Sequence, residues 1–483
     1  MPALAFTSAF APATLGRARR GARASAARRA AAVRAGAGVR SDVDDDATAT
    51  FRHDPASPSR RGLLLGAGGI AVATAPGLIL PDGVRASPAS SRATLAALDQ
   101  RRSVTPASVS SAVASGTTNR SVANAWSGSE ENVVVGDGAL SLSPMGVGTW
   151  SWGNQFVWGY DESDDPALET VFDRAVDAGI NLFDTADSYG TGNGLDGRSE
   201  VLLGEFLSRY PERSARANGG SNGDLTAAVT RQSRVNIASK FAPYPWRVTP
   251  GSVVRAARES CARLGKSSIE LGQLHWSTGN YQPVQERALW AGIADAYDQG
   301  VIRAVGLSNY GPKQLRRVAK YMRSRNVPIA TLQVQYHLLS RFPEFNGTRE
   351  TCDELGIRLI AYSPLGLGLL TGKYSVSNPP PGLRGFAYKD VLPALPGLLD
   401  VARIIGEERR DEKTGAAKTP AQVALNWCLC KDTTPIPGAK NLAQLDENLG
   451  ALGWRLSEGE VMALDEAARK AGASTSQNIF QTS

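Results

Sequence analysis

Three times in this chain a helical stretch ends in glycine and resumes on a β-branched residue: Ala178-Gly179-Ile180, Gln299-Gly300-Val301 and Leu355-Gly356-Ile357. Glycine just past a helix supplies a left-handed cap, and isoleucine or valine opens the next buried strand. A chain that alternates helix and strand in this way is committed to parallel strands, because each crossover is itself a helix. The apolar and turn patterns place strands near 145–149, 180–184, 235–240, 269–275, 302–308, 330–335, 358–362 and 433–437. Helices fall near 165–178, 197–209, 250–264, 285–299, 312–324, 348–355, 397–410, 419–430, 442–449 and 457–470.

Eight strands with intervening helices over about 340 residues fit one closed barrel with insertions. The alternative is a doubly wound open sheet, but no Gly-x-Gly-x-x-Gly turn follows the first strand. Before that strand, Val133 to Leu142 reads as a hairpin turning at Gly136-Asp137-Gly138. The reading is therefore α/β: a (β/α)8 TIM barrel with an N-terminal hairpin and C-terminal helices over 132–472, then a tail over 473–483. The polar, Gly-rich segment from Pro211 to Arg234 is expected to be an enlarged loop at the bottom face. Ser375 to Asp390, stiffened by Pro379-Pro380-Pro381, is expected to be irregular. Through Arg384-Gly385-Phe386 it reads as an active-site lid, or else as a plain surface connection.

The N-terminal part differs. Arg17, Arg19, Arg20, Arg23, Arg28, Arg29, Arg34 and Arg40 occur in residues 1–40 with no Asp or Glu. That composition fits an organelle transit peptide. These arginines exceed the formal net charge of +7, so the rest of the chain is near neutral and offers no case for a nucleic-acid partner. Ser59-Arg60-Arg61 precedes the apolar run Gly62 to Leu80 and the small residues of Val84-Arg85-Ala86. This resembles a twin-arginine export signal, as in bipartite leaders for the thylakoid lumen. The leader is placed at 1–86 and a Ser/Ala/Thr/Gly-rich linker at 87–131. The expected location is the chloroplast, stroma before lumen, with membrane contact only through the leader if it is retained. Four cysteines, at 261, 352, 428 and 430, show no spacing for a disulfide framework or a zinc site.

Three strand ends carry the chemistry. Ile180 to Phe183 stops at Asp184, with Tyr189 five residues on; Val235 to Ser239 runs into Lys240; Ile269 to Leu274 runs into His275. Barrel enzymes mount their reactive groups at this C-terminal face. A tyrosine titrates near 10, and a neighbouring ammonium favours its phenolate. Lys240 supplies that charge, Asp184 holds Lys240, His275 orients a carbonyl and Tyr189 is the general acid. None of these side chains donates hydride, so a cofactor must. His337 is read as structural. Trp150, Trp152, Phe156, Trp158, Trp246 and Trp276 suggest an aromatic pocket lining.

Asp184-Thr-Ala-Asp-Ser-Tyr189-Gly, Ala238-Ser-Lys240 and Gln273-Leu-His275-Trp276 resemble the catalytic motifs of the aldo-keto reductase superfamily. So do Val305-Gly-Leu-Ser308-Asn309, Leu332-Gln333, Ala361-Tyr362-Ser363-Pro364-Leu365-Gly366 and Ile436-Pro437-Gly438-Ala439-Lys440. The resemblance implies reduction of an aldehyde or ketone with NADP(H). It places Ser308, Asn309 and Gln333 on the nicotinamide carboxamide and Tyr362 against its ring. Ser363, Pro364, Leu365, Gly366, Leu367 and Lys373 would line the pyrophosphate, with Thr149 and Trp150 also at the cofactor. Gly438, Lys440, Gln444, Glu447 and Asn448 would hold the adenosine, Lys440 meeting a 2′-phosphate. Leu367-Gly-Leu-Leu-Thr-Gly-Lys373 is most similar to plant chloroplast members and, more distantly, potassium-channel β subunits. A nucleotide-binding regulatory or sensor module with slow turnover is the second reading, and a small carbonyl compound is the expected substrate.

Overall fold

The computed structural model describes residues 132–482 apart from 193, 412, 413, 476, 477 and 479. The leader and linker expected over 1–86 and 87–131 lie outside the described residues. An antiparallel hairpin, β1 (Val133–Val135) and β2 (Leu140–Leu142), precedes the barrel. Its turn is the expected one, with Gly136, Asp137 and Gly138 all at positive φ.

Eight parallel strands follow: β3 (Val147–Gly148), β4 (Leu182–Asp184), β5 (Asn236–Phe241), β6 (Ile269–Leu274), β7 (Ile302–Ser308), β8 (Ile329–Gln335), β9 (Arg358–Tyr362) and β10 (Thr434–Ile436). Each pairs with its neighbour in chain order. The ring closes where Gly146 N–H donates to Pro435 O at 3.0 Å and Gly148 N–H donates to Pro437 O at 3.1 Å. A Cβ on Gly148 would sit 2.8 Å from Ile436 O, so the closing strand needs glycine there. The three helix–glycine–strand junctions form as expected, with Gly179, Gly300 and Gly356 at φ of 90°, 68° and 67°.

Leu182, Ala238, Leu271, Ala304, Ala330, Ile360 and Ile436 fill one end of the barrel, and Val135, Leu140 and Leu142 of the hairpin plug it. Asn181 and Asn236 both donate to Ser141 O, pinning the plug to the starts of β4 and β5. That end is closed, which leaves the C-terminal strand ends as the face open to ligands.

Two expectations about connecting segments need correction. Pro211 to Arg234 is not an enlarged loop: the helix Arg198–Ala217 runs through Pro211, and a second helix spans Asn222–Ser233. A helix-interior proline frees the carbonyl four residues earlier, and here Gln232 Nε2 donates to that carbonyl, Leu207 O, at 2.8 Å. A reciprocal cap between Ser221 and Asp224 starts the second helix. Within Ser375 to Asp390 a short helix forms at Leu383–Tyr388. No helix among the described residues is long and apolar enough to cross a membrane.

Candidate active site

Strand order decides who meets whom. β4, β5 and β6 are adjacent, so their C-terminal ends bring Asp184, Lys240 and His275 together. The loop after β4 is sewn to β5 by Thr185 N–H to Ala238 O (2.8 Å) and Asp187 N–H to Lys240 O (3.0 Å). This swings Tyr189 over Lys240. The ammonium donates to Asp184 Oδ1 at 2.6 Å and to Thr185 O at 2.8 Å, and lies 3.2 Å from the Tyr189 hydroxyl.

The second oxygen of Asp184 accepts from Gln333 Nε2 at 2.7 Å and Gln273 Nε2 at 3.2 Å. Sequence reasoning had no role for Gln273, and the amide of Gln333 reaches across the barrel to a carboxylate. Asp187 was missed too. It pairs with Arg247 Nη1 at 2.5 Å and accepts from Ala242 N–H at 3.2 Å, bracing the tyrosine loop. The aspartate in the Asp-Thr-Ala-Asp-Ser-Tyr motif was visible; its partner, sixty positions away in the chain, was not.

Burial raises the Tyr189 pKa by more than the Lys240 charge lowers it. The phenol is therefore protonated at neutral pH, the form a proton donor needs. Burial alone would lower Lys240, but Asp184 and Tyr189 outweigh it and the ammonium persists. His275 is held well below the usual imidazole range by burial, then by the charges of Lys240 and Arg247. Its ring is neutral, 5.9 Å from that of Tyr189 between centroids. Between them the two rings offer a phenolic O–H and a neutral imidazole to one carbonyl oxygen.

The residues that the resemblance assigns to a nicotinamide sit on the next three strands. Asn309 follows β7 with φ of 61°; its Nδ2 donates to His275 O at 3.1 Å and its Oδ1 accepts from the Tyr362 hydroxyl at 3.0 Å. Ser308 Oγ accepts from the same Nδ2 at 3.2 Å. After β9 the backbone coils tightly, with Ser363, Gly366, Leu367 and Gly368 all at positive φ. Pro364 and Leu365 lie within this coil, and Lys373 beyond it is exposed.

Beside β10, Asn448 Nδ2 donates to Gly438 O at 3.3 Å, Lys440 N–H donates to Gln444 Oε1 at 2.9 Å, and Glu447 accepts from Thr419. Lys440 Nζ donates to Trp158 O at 2.9 Å, while the Arg384 guanidinium lies 4.6 Å from the Trp158 ring. Ser151 Oγ, Trp158 Nε1 and Arg384 Nε are buried polar atoms with no partner among the described residues. Unpartnered polar groups beside a lysine suit an anionic ligand.

Two assignments change. Thr149 is fully buried, with its hydroxyl on Asp184 O and Ser199 Oγ, so that side chain belongs to the barrel wall. Trp152 is not pocket lining: it is fully buried, donates to Ala439 O and packs edge-on against Phe206. Trp150 packs edge-on against Trp158 at 5.6 Å. Trp246 is an exposed rim residue stacked on Tyr244, and Phe156 is also exposed. The Trp276 ring lies 5.0 Å from that of His275. Phe480, from the tail, stacks on it at 4.2 Å. His337 is buried; its Nδ1 accepts from Leu339 N–H at 3.2 Å and its Nε2 lies 3.3 Å from Thr475 Oγ1 in the tail.

Comparison with known proteins identifies the family and the fold. The sequence profile of the Aldo/keto reductase family matches residues 144–469. The chain is 49% identical over 345 residues to the chloroplastic pyridoxal reductase of Arabidopsis thaliana, covering 71% of this chain and 88% of that one. It is 26% identical over 348 residues to the NADH-specific methylglyoxal reductase of Escherichia coli, covering 70% and 98%. Among solved structures, the thermostable aldo-keto reductase Tm1743, in complex with the inhibitor epalrestat, matches with a TM-score of 0.51 at 26% identity. That match covers 70% of this chain and 99% of the other.

Proposed function

Because the chain belongs to the aldo/keto reductase family, we propose that it reduces an aldehyde to the alcohol with NADPH, and that the aldehyde is pyridoxal or a similar planar aromatic. The observation that carries this reading is the 3.2 Å approach of a buried ammonium to the Tyr189 hydroxyl, with Asp184 holding the lysine. NADPH, when bound, supplies the hydride. Everything else falls to the chain. His275 and Tyr189 hydrogen-bond the carbonyl oxygen and fix its orientation. As negative charge develops there, Tyr189 gives up its proton, and Lys240 stabilises the phenolate left behind. Asp184, Gln273 and Gln333 keep the ammonium in place without touching the substrate. In the oxidative direction the same groups run in reverse.

Lys440 and the orphaned groups around Trp158 suit the extra phosphate of NADPH, whereas the E. coli relative is named for NADH. The name of the Arabidopsis relative supports both the pyridine aldehyde and a chloroplast location. The arginine-rich start supports the same compartment. Incubating the purified protein with NADPH and pyridoxal tests the reading: multiple turnover to the alcohol is expected. A nucleotide that stays bound while no aldehyde in a panel turns over would instead favour the sensor module.

A further inference from the structure

The segment after the last helix was expected to be a plain tail, yet its described residues cross the ends of β7, β8 and β9. Thr475 is buried; its N–H donates to Leu339 O at 3.0 Å and its hydroxyl accepts from Gln335 Nε2 at 2.9 Å. The Asn478 side chain lies beside the Tyr362 hydroxyl. Thr482 is buried as well, and it grips one turn at two points. Its N–H donates to Asn309 O at 3.1 Å, and its Oγ1 accepts from Gly311 N–H at 2.8 Å.

Asn309 is the residue that needs gripping. A non-glycine residue at φ of 61° is strained, and such a conformation persists only where its surroundings over-determine it. Five contacts do so: Gln333 O on its N–H, Thr482 on its carbonyl, His275 O and Ser308 Oγ on its amide nitrogen, and Tyr362 on its amide oxygen. A ligand carboxamide that takes over the Asn309 side chain displaces these last three side-chain contacts. Only the backbone bonds then hold the turn, and Thr482 supplies its outer side.

We infer that Thr482 is a positioning residue for nicotinamide binding, fixing the Asn309–Gly311 turn from outside so that the Asn309 amide stays aimed at the cofactor while its own protein contacts are exchanged. This rests on the nucleotide reading above. Thr482→Val keeps the branched shape and the backbone N–H but removes the acceptor for Gly311; Thr482→Ser restores the hydroxyl. Titration with NADPH, followed by nucleotide fluorescence, is expected to show affinity weakened roughly five- to tenfold in the valine variant and restored in the serine variant. The KM for aldehyde at saturating NADPH should not move. Equal NADPH affinity in wild type and Thr482→Val overturns the inference, as does a serine variant as weak as the valine one. A wild-type protein that binds no nucleotide defeats the functional reading itself and this inference with it.

Discussion

Lys240 and Asp184 form an ion pair at 2.6 Å with side chains only 1% and 3% exposed. A pair so deeply buried is not there for stability alone, since desolvation consumes most of the Coulomb gain. Its cost is offset by placing a permanent positive charge against the Tyr189 phenol. Removing one partner would leave the other buried and uncompensated.

Asp184→Asn should therefore cost both stability and activity. We expect a loss of about 3–5 kcal/mol in denaturant unfolding, the range for a broken buried pair. Lys240 should shed its charge, and turnover should fall with it. An Asn variant of wild-type stability and rate would remove the basis for the assigned roles.

Tyr189→Phe deletes the proton donor and little else, because the aromatic ring remains to pack against His275. Turnover should drop at least about a hundredfold with nucleotide binding intact. Single-turnover measurement of NADPH consumption checks this. Retained turnover would assign the proton to another group.

Lys440→Met tests cofactor choice. Losing one charge-assisted contact to a phosphate should weaken NADPH by roughly ten- to a hundredfold and leave NADH nearly untouched. If both nucleotides weaken equally, Lys440 serves the adenosine end in general through its bond to Trp158 O.

Acid stability should carry the mark of His337. Burial pushes its pKa down to about 3, against about 6.5 for an imidazole in the unfolded chain. Between these values only the unfolded chain binds the proton, so stability falls with falling pH, by about 1.4 kcal/mol per unit well below 6.5. His275, also depressed, acts in the same sense. Asp187 opposes them: burial raises its folded pKa to about 6, and its contribution is lost as pH rises through that value. Urea melts of His337→Asn from pH 6.5 to 5 should show a shallower decline than wild type; parallel curves would contradict the assignment.

Import into the plastid should remove the arginine-rich start, so the mature protein is expected to begin after Arg40. N-terminal sequencing of material from the native organism reads this directly. A start at Ser87 places the protein in the lumen rather than the stroma, and an intact Met1 rejects plastid import.

The barrel was legible because its signals are local. Apolar runs, glycine caps at 179, 300 and 356, and strand ends at Asp184, Lys240 and His275 can each be read within a few neighbouring residues. Once the strands are parallel and sequential, those ends must meet, so the central chemistry follows from order along the chain. Charged and polar residues at the mouths of buried strands carry information that packing does not demand of them.

What only the tertiary structure decided is every contact whose two halves are far apart in sequence. Gln333 reaches Asp184 across 149 positions, Trp152 finds Ala439 O across 287, and Gln232 satisfies the carbonyl freed by Pro211. Nothing near Thr149 says that its hydroxyl turns into the wall, and nothing near Thr482 says that it ends on Asn309. Sequence pattern sets which face of an element is apolar. Which polar group meets which depends on barrel closure and loop path, and those are settled only when all the strands are in place.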